Sequence, residues 1–318
     1  MKLDFIIPVF NEEASLPSLI SRLDSVAQKA SMEFSLDIGY IFVDDGSSDG
    51  SFKFLTLHDF GSRRVYLRRL SRNFGKEAAL SAGIDAATKS DAVILLDADL
   101  QHPPEIALDF ISVWRSSGAD SVYAYKSNRR EKEGFLKSLM SRAFYWTINK
   151  NARYNIPENA GDFRLLNRDF MNALRSLPES ERFMKGLYGW VGFKQKGIPF
   201  EPADRSYGAS KFRFFSLLSM TVDAMTSFSI VPLRIMALTG VLISVFSVIY
   251  GLFIIFERMF FHNSSVGIAS ILVLISFFGG VQMIFLGLLG EYVGKAMLET
   301  KRRPNYIVAE NIVREEEF

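Results

Sequence analysis

Apolar positions in the N-terminal part of the chain fall into two alternating patterns. Short, β-branched runs at 3–9, 38–43, 65–70, 92–96 and 121–125 have the length of buried strands. The stretches between them, roughly 14–29, 50–58, 76–89 and 104–117, read as amphipathic helices. Strand and helix in repeated alternation predict parallel βαβ units and an open, mostly parallel α/β sheet. In such a sheet ligands collect beyond the carboxyl ends of the strands, so the residues just after each strand are the ones to inspect for chemistry.

The pattern changes in the last third. The 22 residues 235–256 and the 28 residues 263–290 carry no charge. A bilayer core takes about 20 apolar residues per helix, so each stretch is long enough to span. The linker 257–262 is too short to hold a domain. A two-helix transmembrane hairpin is therefore expected, with spans at 233–256 and 265–290. Arg234 precedes it, and Lys295, Lys301, Arg302 and Arg303 follow, whereas the connecting loop has only Arg258 beside Glu257. The positive-inside rule then puts residues 1–210, both termini and a tail at 291–318 on the cytoplasmic side. Residues 1–10 lack the apolar core of a secretory leader. Two shorter stretches, 135–151 and 211–232, are apolar on one helical face and basic elsewhere, as helices lying in the headgroup layer are.

Composition removes several alternatives. There is no Cys, which excludes a disulfide-stapled fold, a thiolate metal site and a Cys nucleophile. The 37 Lys and Arg against 35 Asp and Glu give no reason to expect nucleic acid. The P-loop, the dinucleotide glycine fingerprint and the zinc-protease motif are absent, and the three His residues, His58, His102 and His262, are scattered and not expected to ligate a metal.

Three acidic clusters follow strands: Glu12 and Glu13 after Pro8, Asp44 and Asp45 in the run to Asp49, and Asp97, Asp99 and Gln101. Carboxylates gathered at one sheet edge repel each other unless a cation offsets them. Asp97, Asp99 and Gln101 alternate with Ala98 and Leu100, which in an extended segment places the three on one face. Three oxygen ligands of that kind suit Mg2+ or Mn2+. Asp49 is read as opening the following helix. Arg72-Asn-Phe-Gly-Lys76 opens another helix at a strand end, where amides favour anions, so Lys76 is a candidate nucleotide contact.

The segments PVFNEE, VDDGSSDGS, RNFGKEAAL, DADLQHPPE, GDFRLLNRD and YGASKF, followed by two spans and GEYVGK, resemble a family 2 glycosyltransferase of the polyisoprenyl-phosphate type, through to about residue 307. Within that group the chain most resembles the bactoprenol glucosyltransferases of O-antigen modification. The resemblance implies a GT-A-type, Rossmann-like sheet and inverting, single-sugar transfer from a nucleotide diphosphate to a polyprenyl phosphate. It implies metal ligation by Asp97, Asp99 and Gln101, a nucleotide pocket lined by Pro8 and Glu12 with Asp44 or Asp45 on the base or ribose, and Asp162 in the position of the catalytic base, with Asp99 beside it. Acceptor-phosphate candidates are Lys126, Arg129, Lys137, Ser141, Arg205 and Lys211. At Lys126 and Lys137 the related mannose synthases carry Arg, and Lys lacks its bidentate fork. The expected reaction moves glucose from UDP-glucose to undecaprenyl phosphate at the bacterial inner membrane. Alternatives are another donor, GDP-mannose, UDP-N-acetylglucosamine or a modified arabinose, or a silent nucleotide-sugar-binding scaffold. Further candidate partners are a second copy of the chain and a flippase of the same pathway. No Q-x-x-R-W segment of processive polymerases is present.

Overall fold

In the computed structural model, residues 1–126, 160–179, 182–200, 231–261 and 268–314 are described. They form two compact units, an α/β unit that includes residues 303–314 and a helical unit built on 231–261 and 268–300.

The α/β unit is an eight-stranded sheet. Its strands are β1 (Lys2–Val9), β2 (Asp37–Asp44), β3 (Val65–Leu70), β4 (Ala92–Leu95), β5 (Ser121–Lys126), β6 (Ala160–Asn167), β7 (Gln195–Phe200) and β8 (Val308–Arg314), in the order β7-β5-β6-β4-β1-β2-β3-β8. β4, β1, β2 and β3 are mutually parallel, and β6 and β8 run antiparallel to their neighbours. All five strands and four helices expected in the N-terminal part form: α1 (Leu16–Phe34), α2 (Ser51–Leu57), α3 (Lys76–Ala86) and α4 (Ile106–Ser117). Two further helices, α5 (Arg168–Ser176) and α6 (Met184–Trp190), follow β6.

The physical reasons are local. α1 has Pro in its first turn and buries Leu16, Leu19, Ile20, Leu23, Val26, Ala27 and Ala30, a stripe at helical spacing, before Ser35 turns left-handed and ends it. β1 is buried on both faces, as a central parallel strand must be, with Leu3, Phe5, Ile6 and Ile7 inaccessible. Pro8 is tolerated there because β4 pairs with β1 only as far as Ile6, so its missing N–H interrupts no rung. α3 lies close on the sheet at Gly83, where a Cβ would meet the Ile6 side chain at 2.2 Å.

The helical unit carries α7 (Val231–Phe261) and α8 (Ile268–Thr300). Within them Pro232–Phe253 and Leu274–Thr300 are long and apolar enough to cross a membrane, with mean hydropathies of 2.2 and 1.6. Large side chains such as Leu242, Phe246, Met283 and Ile284 are exposed, an apolar surface that water would not favour. The amphipathic stretches expected at 135–151 and 211–232 lie almost wholly outside the described residues.

Candidate functional site

The parallel strands end in an open cleft of about 280 Å³. Pro8, Glu12, Asp45, Lys76, Asp97 and Asp99 line it, so six of the residues singled out in the sequence converge there. The loops after β1 and β2 are zipped together to form one wall. The Asn11 N–H donates to Ser47 Oγ (3.0 Å), Ser48 N–H to Asn11 Oδ1 (2.8 Å) and Gly50 N–H to Glu13 Oε2 (2.9 Å). Asp49 accepts from the Ser51 N–H in the turn leading into α2, whose N-cap is Gly50 and not Asp49 as expected. Gly46, at φ +69°, lets this loop touch residues 72 and 73, where a Cβ would come within 2.6 Å of the Arg72 carbonyl carbon.

The adjacent carboxylates Asp44 and Asp45 have different fates. Both oxygens of Asp45 are engaged, accepting the N–H groups of Phe74 (2.7 Å) and Gly75 (2.9 Å), which fixes the loop leading into α3. Asp44 is 1% exposed; its Oδ2 accepts from Ser47 N–H and lies 3.4 Å from Arg69 Nε, while Oδ1 has no partner. Burial pushes both carboxyls above their ordinary range.

The acidic turn after β4 is not extended. Asp99 accepts the backbone N–H of Gln101 (3.1 Å) and its side-chain amide (2.6 Å), and Leu100 adopts φ +57°. An Asp side chain that captures the amide two residues on builds a turn, and this wins over the single-faced extended arrangement expected from the alternation. The turn gathers Asp97, Asp99 and His102, whose ligand atoms lie within 4.8 Å of one another. His102, set aside in the sequence, is packed between the rings of Phe163 and Phe200, with Nδ1 3.7 Å from Asp97. Gln101 reaches the cluster through Asp99. Carboxylates, an amide and an imidazole fit a hard divalent cation.

Asp162 joins from β6. The antiparallel register pairs Leu95 with Arg164, and continuing it two residues brings Asp97 level with Asp162. Lys76, the first residue of α3, bridges them, with Nζ 2.7 Å from Asp97 Oδ1 and 2.9 Å from Asp162 Oδ2. Burial would raise the Asp162 carboxyl, but Lys76, Lys185 and Arg164 outweigh it and hold the group below the ordinary carboxylate range. Its Oδ1 has no partner. Arg164, two residues on, is buried with its guanidinium 3.6 Å over the Tyr188 ring, donating to the Gly161 carbonyl while Nε and Nη1 have no hydrogen-bond partner. Glu77, next to Lys76, is pushed up to about 7 by burial and by the Asp162 charge. Arg164 and Glu77 lie inside the GDFRLLNRD and RNFGKEAAL segments but are assigned no role by them, and Tyr188 lies outside every such segment; their nearness to Asp162 in the fold marks them.

Among the acceptor-phosphate candidates, Lys126 is the last residue of β5, paired with Phe200 of β7. Arg129, Lys137, Ser141, Arg205 and Lys211 lie outside the described residues.

Comparison with known proteins gives this arrangement its context. Residues 4–175 match the family model "Glycosyl transferase family 2". An uncharacterized glycosyltransferase of Synechocystis is 40% identical over 98% of this chain and 95% of its own length. A prophage bactoprenol glucosyl transferase homolog of Escherichia coli is 39% identical over 97% of this chain and 98% of its own. A crystal structure of glucosyl-3-phosphoglycerate synthase from Mycobacterium tuberculosis with Mn2+, UDP-glucose and phosphoglyceric acid has a TM-score of 0.47 and 19% identity, over 71% of this chain and 77% of that one. The chain belongs to glycosyltransferase family 2 and is a glycosyltransferase with a GT-A-like sheet.

Proposed function

We propose that the protein transfers one glucose from UDP-glucose to undecaprenyl phosphate, with inversion at the anomeric carbon, at the cytoplasmic face of a bacterial inner membrane. The observation that carries this is the meeting of Asp97 and Asp99 in one cleft, with Asp162 joined to Asp97 through Lys76, in a chain 39% identical to a bactoprenol glucosyl transferase homolog over nearly its whole length. Two long apolar helices favour a membrane-held acceptor. β7 precedes those helices and β8 follows them in the same sheet, which favours an even number of crossings.

Asp97, Asp99 and Gln101 are the residues to hold Mg2+ or Mn2+. A divalent ion at that position supplies Lewis-acid stabilisation of the charge that grows on the leaving nucleotide. Asp44, with its unpartnered Oδ1, is suited to accept an N–H of the base, while Asp45 is committed to holding the 73–75 loop. Pro8 and Glu12 line the cleft with Asp45, and Lys76 at the start of α3 offers positive charge to the diphosphate. A carboxylate held below its ordinary range is a poor proton acceptor, and a phosphomonoester with a second pKa near ~6 is already largely dianionic. Asp162 therefore orients the acceptor and steadies positive charge on the sugar rather than removing a proton. Lys126, Arg129, Lys137, Ser141, Arg205 and Lys211 are the residues proposed to contact the acceptor phosphate.

The test is incubation of the purified protein with polyprenyl phosphate, Mn2+ and a panel of UDP-glucose, GDP-mannose, UDP-N-acetylglucosamine and a nucleotide-linked arabinose. A lipid product heavier by one hexose, formed from UDP-glucose and lost with chelator, is expected. Product from another donor alone would overturn the choice of sugar, and product undiminished by chelator would overturn the metal.

A further inference from the structure

The chain beyond the apolar helices re-enters the α/β unit. β8 lies antiparallel along the outer edge of β3, in register from Val65–Arg314 to Arg69–Glu310, with a shift of one residue before Leu70 meets Val308. Ser71 N–H donates to the Ile307 carbonyl (2.9 Å), the Tyr306 hydroxyl to Asp85 (2.7 Å), and Arg314 to the carbonyls of His58 and Thr56. This covers a strand edge that would otherwise be open.

Strand alternation sorts the side chains into two faces. On one, Arg68 is paired with Asn311 and also donates to the Ala82 carbonyl of α3. On the other, three residues stand in register on three neighbouring strands: Asp44 of β2, Arg69 of β3 and Glu310 of β8. Arg69 Nε lies 3.4 Å from Asp44 Oδ2, and its Nη1 lies 3.3 Å from Glu310 Oε1. Its guanidinium also sits 4.9 Å over the Phe52 ring. Among the residues lining the cleft neither Arg69 nor Glu310 appears, nor does Asp44, whose chain neighbour Asp45 is a lining residue. Arg69 and Glu310 stand behind a buried carboxylate whose Oδ1 has no partner, which is the kind of group a ligand completes.

We propose that Asp44, Arg69 and Glu310 form a relay in which the strand following the membrane helices sets the nucleotide pocket: Glu310 holds Arg69, and Arg69 fixes the Asp44 carboxylate for a nucleobase N–H. Arg69 and Glu310 are positioning residues. The relay rests on the reading of Asp44 as a base contact and extends it to a segment that otherwise reads as a tail.

The measurement is calorimetric titration of UDP with Mn2+ into the full-length protein in detergent, with donor KM and kcat determined alongside. Arg69→Gln is expected to weaken UDP binding at least tenfold, Arg69→Lys to restore it to within about threefold, and Glu310→Gln to weaken it two- to fivefold, but not further in the Arg69→Gln background. Donor KM should rise with kcat little changed. Asn311→Ala, on the same strand but the opposite face, should bind UDP normally. If Arg69→Gln does not fold, Glu310→Gln and Arg69→Lys carry the test. If Asp44→Asn weakens UDP tenfold while the Arg69 and Glu310 variants bind normally, the relay is wrong and the base contact stands. A normal Asp44→Asn overturns the base contact and the relay with it. Additive effects of Arg69→Gln and Glu310→Gln would exclude β8 from the relay.

Discussion

The two ends of the central sheet both bury carboxylates, and they treat them in opposite ways. At the amino ends of the strands Asp4 is 1% exposed and both its oxygens are occupied, one by Arg64 Nη2 at 2.7 Å and the other by the Ser90 hydroxyl. Arg64 also pairs with Asp37, leaving only Nε without a partner. At the opposite edge of the sheet Asp44 and Asp162 are also buried, yet each keeps one oxygen unpartnered, and Arg164, two residues on from Asp162, keeps two nitrogens so. A buried polar group without a partner costs about 1–3 kcal/mol. A fold that satisfies its buried carboxylate at one end and leaves carboxylate oxygens open at the other is bearing that cost where a substrate or ion can relieve it.

If the contrast is right, the two ends fail differently when altered. Asp162→Asn keeps the shape of the open end but removes its charge. Turnover should fall by about 10²–10⁴ with UDP binding in the presence of Mn2+ little changed. A variant with more than half the original turnover would mean that the open valence is incidental. Arg64→Met at the closed end leaves Asp4 as an uncompensated buried charge, for which a loss of about 3–5 kcal/mol is expected, read as a lower denaturant midpoint. Its donor KM should not move, since Arg64 lies at the opposite end of the strands from the cleft. A shifted KM at unchanged stability would erase the distinction between the ends.

Much of the open end was legible because it is built from local signals. Strand runs, acidic residues just after them and the Gly-Lys start of α3 all sit within a few positions of one another, and a parallel sheet brings such positions to one edge. The turn at 97–102 was misread because alternation describes an extended chain, and nothing in it signals that Asp99 will take the amide of Gln101. His102 was missed for the same reason, since only the turn brings it to Asp97. Asp44 and Asp45 could not be told apart until the 73–75 loop was seen to use up Asp45. The strand at 308–314 was hidden because it is short, exposed and carries Glu310, Asn311 and Arg314, and its partner lies some 240 residues earlier in the chain. Pairing at such distance leaves no periodic trace in the sequence.

The smallest expected effect tests whether the open end carries strain in the absence of substrate. Glu77 is pushed up to about 7 by burial and the Asp162 charge, against the N–H of Met184 and the charges of Lys76 and Lys185, which pull it down. A carboxyl that binds its proton more tightly folded than unfolded favours the folded state while protonated. Its contribution is therefore present at acid pH and is lost as the pH rises from the ordinary glutamate range through about 7. Substituting Glu77→Gln, which is uncharged at every pH, should flatten the stability profile between those limits and raise stability above pH ~7.5 by about 1 kcal/mol, as followed by urea unfolding at fixed pH steps. Lys76 and Asp162 remain in place in this variant, so a profile that keeps its slope would assign the strain to the Asp162 cluster itself. A flattened profile would assign it to the second carboxylate crowded behind that cluster, and would show that the open end is destabilised even in a residue that does not line the cleft.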